Sequence, residues 1–300
     1  MASQRKTGAA VLKIAFSALL LYFVFRQIPF KQVWEALKTS SWGYLLPALG
    51  LFIFSKWLAA LRLNRYFHAI DIPLSTVSNL KLYLLGMFYN LFLPGGIGGD
   101  AYKGFLLKRR FARPTKRIAG VLLLDRVSGL FALFTYSVVL LYALNPGALA
   151  DFRWVWPMGI LAGLGAYYFF HQKLFPYVRR VFWPAMGFSA LVQLAQLGAA
   201  GFILMALNVE GGLFPYLLLF LLSSMAAVLP LTIGGVGSRE VVFLYGSRWW
   251  ALEEPVALAL SLLFFGITAA VSLCGVAIHF GKRDLIAEVG TKAPSGEDPD

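Results

Sequence analysis

Cysteine is nearly absent from this 300-residue sequence: Cys274 stands alone, which excludes an internal disulfide and makes Cys274 a small packing residue rather than part of a metal cluster. Charge is scarce as well. Only 14% of residues are Asp, Glu, Lys or Arg, against about 25% in an ordinary globular domain, whereas 59% are hydrophobic and the mean hydropathy is +0.71. That balance excludes a pair of soluble domains and leaves no room for a separate soluble catalytic unit. Histidine is scarce too: His68, His171 and His279 are read as lying in loops or at a span end, so Ser238 lacks the partner a serine nucleophile needs. Gly96, Gly98 and Ala101 fit G-x-G-x-x-A, yet no strand-turn-helix context surrounds them and no P-loop Lys-Ser/Thr follows, which removes nucleotide binding. No catalytic residue, metal or cofactor is expected.

What the chain does have is long apolar runs. A span needs about 20 apolar residues. Six stretches qualify: 9–25, 42–61, 118–144, 154–170, 185–207 and 255–279. The first follows Arg5 and Lys6 like a secretory signal, but no small-x-small site ends it and it runs through Phe23, Phe25 and Arg26, so it reads as an uncleaved anchor. Residues 29–40 place Phe30, Val33, Trp34 and Leu37 on one helical face opposite Lys31, Gln32, Glu35 and Lys38, which predicts an interfacial amphipathic helix. Trp42, Trp154, Trp156, Trp183, Trp249 and Trp250 fall near span ends, where indole rings anchor at the headgroup level.

Two further apolar segments, 82–99 and 213–237, contain Pro/Gly clusters of one pattern, L-P-x-x-I-G-G: LPGGIGG at 93–99 and LPLTIGG at 229–235. Pro removes a backbone donor and Gly tolerates open backbone, so each cluster breaks a helix, and broken backbone at membrane depth lines a protected cavity. Pro94 and Pro230 are 136 residues apart, and Gly98-Gly99 and Gly234-Gly235 keep the same offset. Extended along the chain, that offset maps 118–144 onto 254–280 and the first two spans onto the fourth and fifth. The sequence therefore predicts an all-α polytopic membrane protein of two halves, 1–144 with a re-entrant segment at 82–99 and 145–283 with one at 213–247. A disordered cytoplasmic tail follows at 284–300. Three crossings per half invert one half relative to the other, the arrangement of many transporters. The alternative is eight full crossings.

Charge placement supports re-entry. Lys and Arg accumulate in short cytoplasmic loops. Lys103, Lys108, Arg109, Arg110, Arg113, Lys116 and Arg117 face one acid between residues 100 and 117, while Arg62, Arg65 and Lys81 precede the first cluster with only Asp71 opposing them. Both flanks of the first cluster are then cytoplasmic, as are both termini, and the weakly charged flanks of the second are external. The net charge of +13 lies in juxtamembrane loops without a soluble RNA-binding pattern, so the expected partner is anionic inner-leaflet lipid and not nucleic acid.

Few residues carry chemistry. Asp125 and Arg126 sit about seven residues into an apolar span, where charges are expensive and by default functional. Being adjacent on a helix, each should pair elsewhere. Asp100 and Lys103 follow the first cluster, Arg239 and Glu240 the second, and the offset sets Arg239 against Lys103. If each glycine cluster opens a helix, its free N–H groups and positive dipole end hold an anion, with phosphate on a lipid headgroup as the candidate. The expected substrate-binding set is Pro94, Gly95, Gly96, Gly98, Gly99, Asp100, Lys103, Asp125, Arg126, Pro230, Gly234, Gly235, Gly237, Arg239 and Glu240.

Taken together, NLFLPGGIGGDAYKGFLLKRR at 90–110, LLLDRVSGL at 122–130 and LPLTIGGVGSRE at 229–240 resemble the flippase-like transmembrane region of lysylphosphatidylglycerol synthases. The resemblance implies inverted halves, re-entrant segments and translocation of a lipid or lipid-linked substrate between leaflets of the cell membrane. It carries site roles to the glycine clusters, Asp100, Asp125, Arg126, Arg239 and Glu240. The bifunctional synthases add a soluble aminoacyl-transfer domain, and this chain ends about twenty residues after its last span, so lysyl transfer is not expected. The leading expectation is a flippase in which Arg126, Lys103 and Arg239 hold phosphate while Asp125 or Glu240 binds a coupling proton or cationic headgroup. A non-transporting accessory that presents a polyprenyl-linked sugar to a glycosyltransferase or other lipid-modifying enzyme is the alternative.

Overall fold

The computed structural model describes residues 40–91, 98–111, 113–144, 154–228 and 238–280, together with Lys31, Glu35 and Lys38. Among the described residues the secondary structure is helical throughout, with no strand. Helix α1 is Trp42–His68, α2 Thr76–Asn90, α3 Gly98–Phe111, α4 Thr115–Leu144 and α5 Val155–Leu174. A 3-10 turn, Pro176–Val181, leads into α6 at Phe182–Ala206, followed by α7 (Leu213–Val228), α8 (Ser238–Trp249), α9 (Glu254–Leu273) and α10 (Gly275–Phe280).

Local chemistry sets several of these starts. Ser75 accepts a hydrogen bond from the Ser78 backbone N–H at 3.1 Å, capping α2 after Pro73. Extended Glu253 followed by Pro255 within the first turn starts α9. Four stretches among the described residues, Trp42–His68, Thr115–Leu144, Pro176–Ala206 and Glu254–His279, are long and apolar enough to cross a membrane. They match four of the six expected spans. The expected span at 9–25 lies outside the described residues, as does most of the amphipathic segment at 29–40 and all of the tail. The sixth, 154–170, falls on α5, a peripheral helix of 20 residues whose one buried residue is His171 and which is not among those four stretches.

The order and lengths of the elements repeat at the 136-residue offset. It maps α1 onto the 3-10 turn and α6, α2 onto α7, α3 onto the region of α8, and α4 onto α9 with α10. The paired central helices α1 and α6 meet through small buried residues, Ala48, Ser55, Ala59 and Ala60 on one and Ala195, Ala199 and Ala200 on the other. Where lipid is as apolar as the protein interior, close backbone approach of this kind replaces hydrophobic drive. Around the seam, the Phe264 ring of α9 meets Phe52 of α1 at 5.4 Å and Phe220 of α7 at 4.6 Å, both edge-on.

The short helices form two antiparallel hairpins. At 15 and 14 residues, α2 and α3 reach only about 20 Å each at 1.5 Å per residue, too short for a hydrocarbon core of about 30 Å. The side-chain amide oxygen of Asn90, the last residue of α2, accepts the Gly99 N–H at 2.8 Å, and the Gly99 α-carbon presses on the Gly86 carbonyl so closely that a methyl group there has no space. Further along, Gly86 leaves room for the Lys103 stem, and Leu82 and Leu107 share one apolar cluster. The chain thus turns back along itself over 76–111, a wider element than the expected 82–99, because helix continues on both sides of the break. In the second half the contacts of Leu219 with Gly246 and of Tyr216 with Glu253 fold α7 against α8 in the same sense.

Candidate functional site

Five charged side chains converge where α1, α3 and α4 meet. Asp125 of α4 is held by Arg62 of α1, whose Nε donates to Oδ1 at 2.7 Å while its Nη1 donates to the Ser189 hydroxyl of α6 at 2.8 Å. One turn beyond Asp125, Gly129 leaves space for that guanidinium; an added methyl carbon would stand 3.3 Å from Nη1. Arg126 points away from its neighbour, as successive helical positions must, and its Nε donates to Asp100 Oδ2 on α3. The other oxygen of Asp100 receives the Lys103 ammonium at 2.7 Å. Lys103 also lies 4.9 Å over the Tyr83 ring of α2. Asp100 sits in the first turn of α3, where the helix dipole favours a carboxylate.

Arg62, Lys103 and Asp125 are buried, while the Arg126 side chain, 26% exposed, is the open member of the set. Burying charges of this kind is costly unless they are paired, and here each carboxylate has at least one cation. Three cations against two carboxylates leave the site with a surplus positive charge.

These residues line a cavity of about 230 Å³, together with Tyr83, Asn90, Gln193 and Gln196. The amide oxygen of Gln193 is buried without a hydrogen-bond partner, so the cavity offers an acceptor beside its cations. Asp100, Arg126, Leu130 and Val228 also border a second, apolar space of about 640 Å³ between α3 and α4. Its walls follow helical periodicity: Ala101, Gly104, Phe105 and Lys108 on α3, and Ile118, Ala119, Leu122, Leu123, Val127 and Leu130 on α4. A polar chamber therefore opens into an apolar groove at the Asp100–Arg126 pair, a combination that suits an amphiphile.

The profile of the lysylphosphatidylglycerol synthase TM region family matches residues 10–275. The chain belongs to that family. It is accordingly a multi-pass membrane protein. No curated protein matches it at a significant level.

In this lysylphosphatidylglycerol synthase TM region, four of the residues expected from sequence, Asp100, Lys103, Asp125 and Arg126, come together around one cavity. Gly98 and Gly99 open α3 beside it. Pro94, Gly95, Gly96, Pro230, Gly234, Gly235 and Gly237 lie outside the described residues. Arg239 and Glu240 do not line this cavity. They begin α8, where Glu240 accepts a hydrogen bond from the Ser261 hydroxyl at 3.1 Å and the Arg239 guanidinium lies 5.3 Å over the Phe264 ring. The expectation that Lys103 and Arg239 face a single chamber is therefore corrected, because Lys103 lines this cavity while Arg239 lies against the Phe264 ring of α9. Asp125 is likewise engaged by Arg62.

Arg62 is the main residue the sequence reading misplaced. The sequence predicts a loop charge after a span ending at Leu61, whereas α1 runs on to His68 and carries Arg62 into the interior. Tyr83, Asn90, Ser189, Gln193, Gln196 and Lys56 were not singled out at all. His171 and His279 are buried, contrary to expectation, but His171 sits among the rings of Tyr167, Phe175 and Phe182, and His279 bonds the Tyr89 hydroxyl at 2.9 Å.

Proposed function

We propose that this protein moves a phosphate-bearing lipid between leaflets, taking the headgroup into the charged cavity while the acyl chains follow the α3–α4 groove. The observation that carries this reading is the junction itself: Asp100 and Arg126 belong to both the polar chamber and the apolar groove. A lipid headgroup needs cations and hydrogen-bonding groups where its phosphate and hydroxyls lie, and an unbroken apolar surface immediately beside them. Arg126, the most open cation, contacts the phosphate first, and Gln193 accepts a headgroup hydroxyl. Asp100 holds Arg126 and Lys103 in position when the cavity holds no lipid. Alternation of the two halves around this point exchanges access between leaflets.

Reconstitution into liposomes with short-chain fluorescent phosphatidylglycerol tests the reading. Wild-type protein accelerates leaflet exchange, and R126Q lowers the rate by about tenfold or more, the loss expected for one charged hydrogen bond to phosphate. Leu123→Trp, which fills the groove without touching a charge, slows exchange while leaving headgroup retention intact. No acceleration with phosphatidylglycerol, other anionic phospholipids or polyprenyl phosphate sinks the proposal. Retention of polyprenyl phosphate without exchange favours a presenting role instead.

A further inference from the structure

Two cations beside the second hairpin, Lys56 of α1 and Arg239 of α8, form no ion pair with a described acid. Lys56 projects from the middle of α1, with its ammonium 4.4 Å over the Phe52 ring. Arg239, near the start of α8, lies over Phe264, and the Phe52 and Phe264 rings are in contact at 5.4 Å. Each cation therefore lies over one ring of a single aromatic pair, and Lys56 is within electrostatic range of both Arg239 and Arg62. The Arg239 Nη1 is shut away from solvent and has no hydrogen-bond partner. Arg62 is already committed to Asp125. Glu240, the nearest acid in sequence, acts on Arg239 electrostatically without an ion pair, and its carboxylate accepts the Ser261 hydroxyl.

Beyond Glu240, the sequence leading into α8 adds no acid. Residues 229–237 contain none, and the first acidic residue of the chain is Glu35. The position that corresponds to Asp100 under the 136-residue offset is Val236, so the carboxylate that neutralises Lys103 in the first hairpin has no counterpart three residues before Arg239. Ring faces attract a cation but do not replace its hydration, and two like charges that share an interior repel. An oxyanion between them removes both costs, and the start of α8 adds the favourable end of a helix dipole.

We infer that Lys56 and Arg239 form a second oxyanion site, separate from the Asp100–Arg126 cavity, that takes the phosphate of a lipid headgroup or a free phosphate ion. If the lipid is the source, this inference rests on the transport reading and makes the site a second station on the headgroup's path. If the source is free phosphate, the site stands without that reading.

Native mass spectrometry of the full chain, titrated with dihexanoyl phosphatidylglycerol, tests the site. Wild-type protein retains two lipids. K56Q and R239Q each lose the second equivalent or bind it at least about tenfold more weakly, K56R restores it, and R126Q loses the other. Unchanged retention of two lipids in both K56Q and R239Q overturns the site; melting curves alongside confirm that the variants are folded. Inorganic phosphate as competitor separates the sources: displacement of the second lipid assigns a free oxyanion site, and no displacement assigns a headgroup site that needs the chains. Leaflet exchange measured in parallel separates the two proposals. Two retained lipids without exchange overturn transport and leave the site; exchange with retention insensitive to K56Q and R239Q overturns the site and leaves transport.

Discussion

The two hairpins place a cation at the same repeat position and treat it in opposite ways. In α3, Lys103 is neutralised by Asp100 less than one turn before it, and that carboxylate also takes Arg126 from α4. In α8, Arg239 rests on the Phe264 ring with an unbonded Nη1. The next helix differs in the same sense: Asp125, paired with Arg62, corresponds to Ser261, a neutral residue that bonds Glu240. The repeat has kept the scaffold of two successive short helices, while its cation is ion-paired in one half and not in the other. Paired charges build a rigid chamber, and on the proposed reading an unpaired one makes a place for a ligand.

The sharpest way to break this comparison is to unbalance the first half. Asp125→Ala leaves the Arg62 guanidinium buried with Ser189 as its remaining partner. Removing one member of a buried pair costs about 3–5 kcal/mol, so unfolding in detergent should shift by that amount. The double variant R62M/D125L removes both charges and recovers most of the loss. A shift below about 1 kcal/mol for D125A, where a surface pair would lie, contradicts the rigid-chamber account.

Next in size is the hairpin turn. Gly99→Ala drives a methyl group into the Gly86 backbone carbonyl, which cannot move without parting α2 from α3. Overpacking of this kind costs about 1–3 kcal/mol, and it should also slow leaflet exchange because Asp100 is the next residue. Gly246→Ala is the matched control in the second hairpin. There the obstacle is the flexible end of Leu219, so the cost should be smaller. Thermal melting of the two variants side by side checks the order, and equal losses would show that side-chain and backbone obstacles are not distinguished here.

These sites were legible in sequence to different depths, for physical reasons. Asp125 and Arg126 stood out because two charges interrupt an otherwise apolar run, and Asp100 because it follows a glycine pair that must open a helix. The repeat was legible because Pro and Gly impose backbone geometry that needs no tertiary information. Arg62 was not, since nothing in the run from Leu61 to Arg65 tells whether helix continues into the protein or ends in solvent; its burial is decided by Asp125, 63 residues away. Lys56 carried a signal that went unused, a lone ammonium in the middle of a span. The groove between α3 and α4 follows a helical period on both helices, but its opening at Arg126 depends on how the hairpin docks, and that is a tertiary property. The Gly86–Gly99 contact is likewise invisible until α2 and α3 are laid side by side.

The smallest expected effect is the most discriminating. Lys103→Gln takes a charged hydrogen bond from Asp100 and leaves Arg126 as its remaining cation, a loss of about 1.5–3 kcal/mol. Arg239→Gln removes a cation that forms no ion pair with a described carboxylate and feels Glu240 only at a distance. It forfeits the contact with Phe264, worth about 0.5–2 kcal/mol, but also relieves the cost of a desolvated charge that repels Lys56. The two nearly cancel, so lipid-free R239Q should melt within about 1 kcal/mol of wild type, while K103Q melts clearly lower. Addition of anionic lipid should then separate them further, stabilising wild type and K103Q through the second hairpin and R239Q less, because a ligand stabilises the folded state only where its site survives. Equal losses for K103Q and R239Q without lipid would mean that Arg239 is neutralised after all, and the contrast between the halves would fall with it.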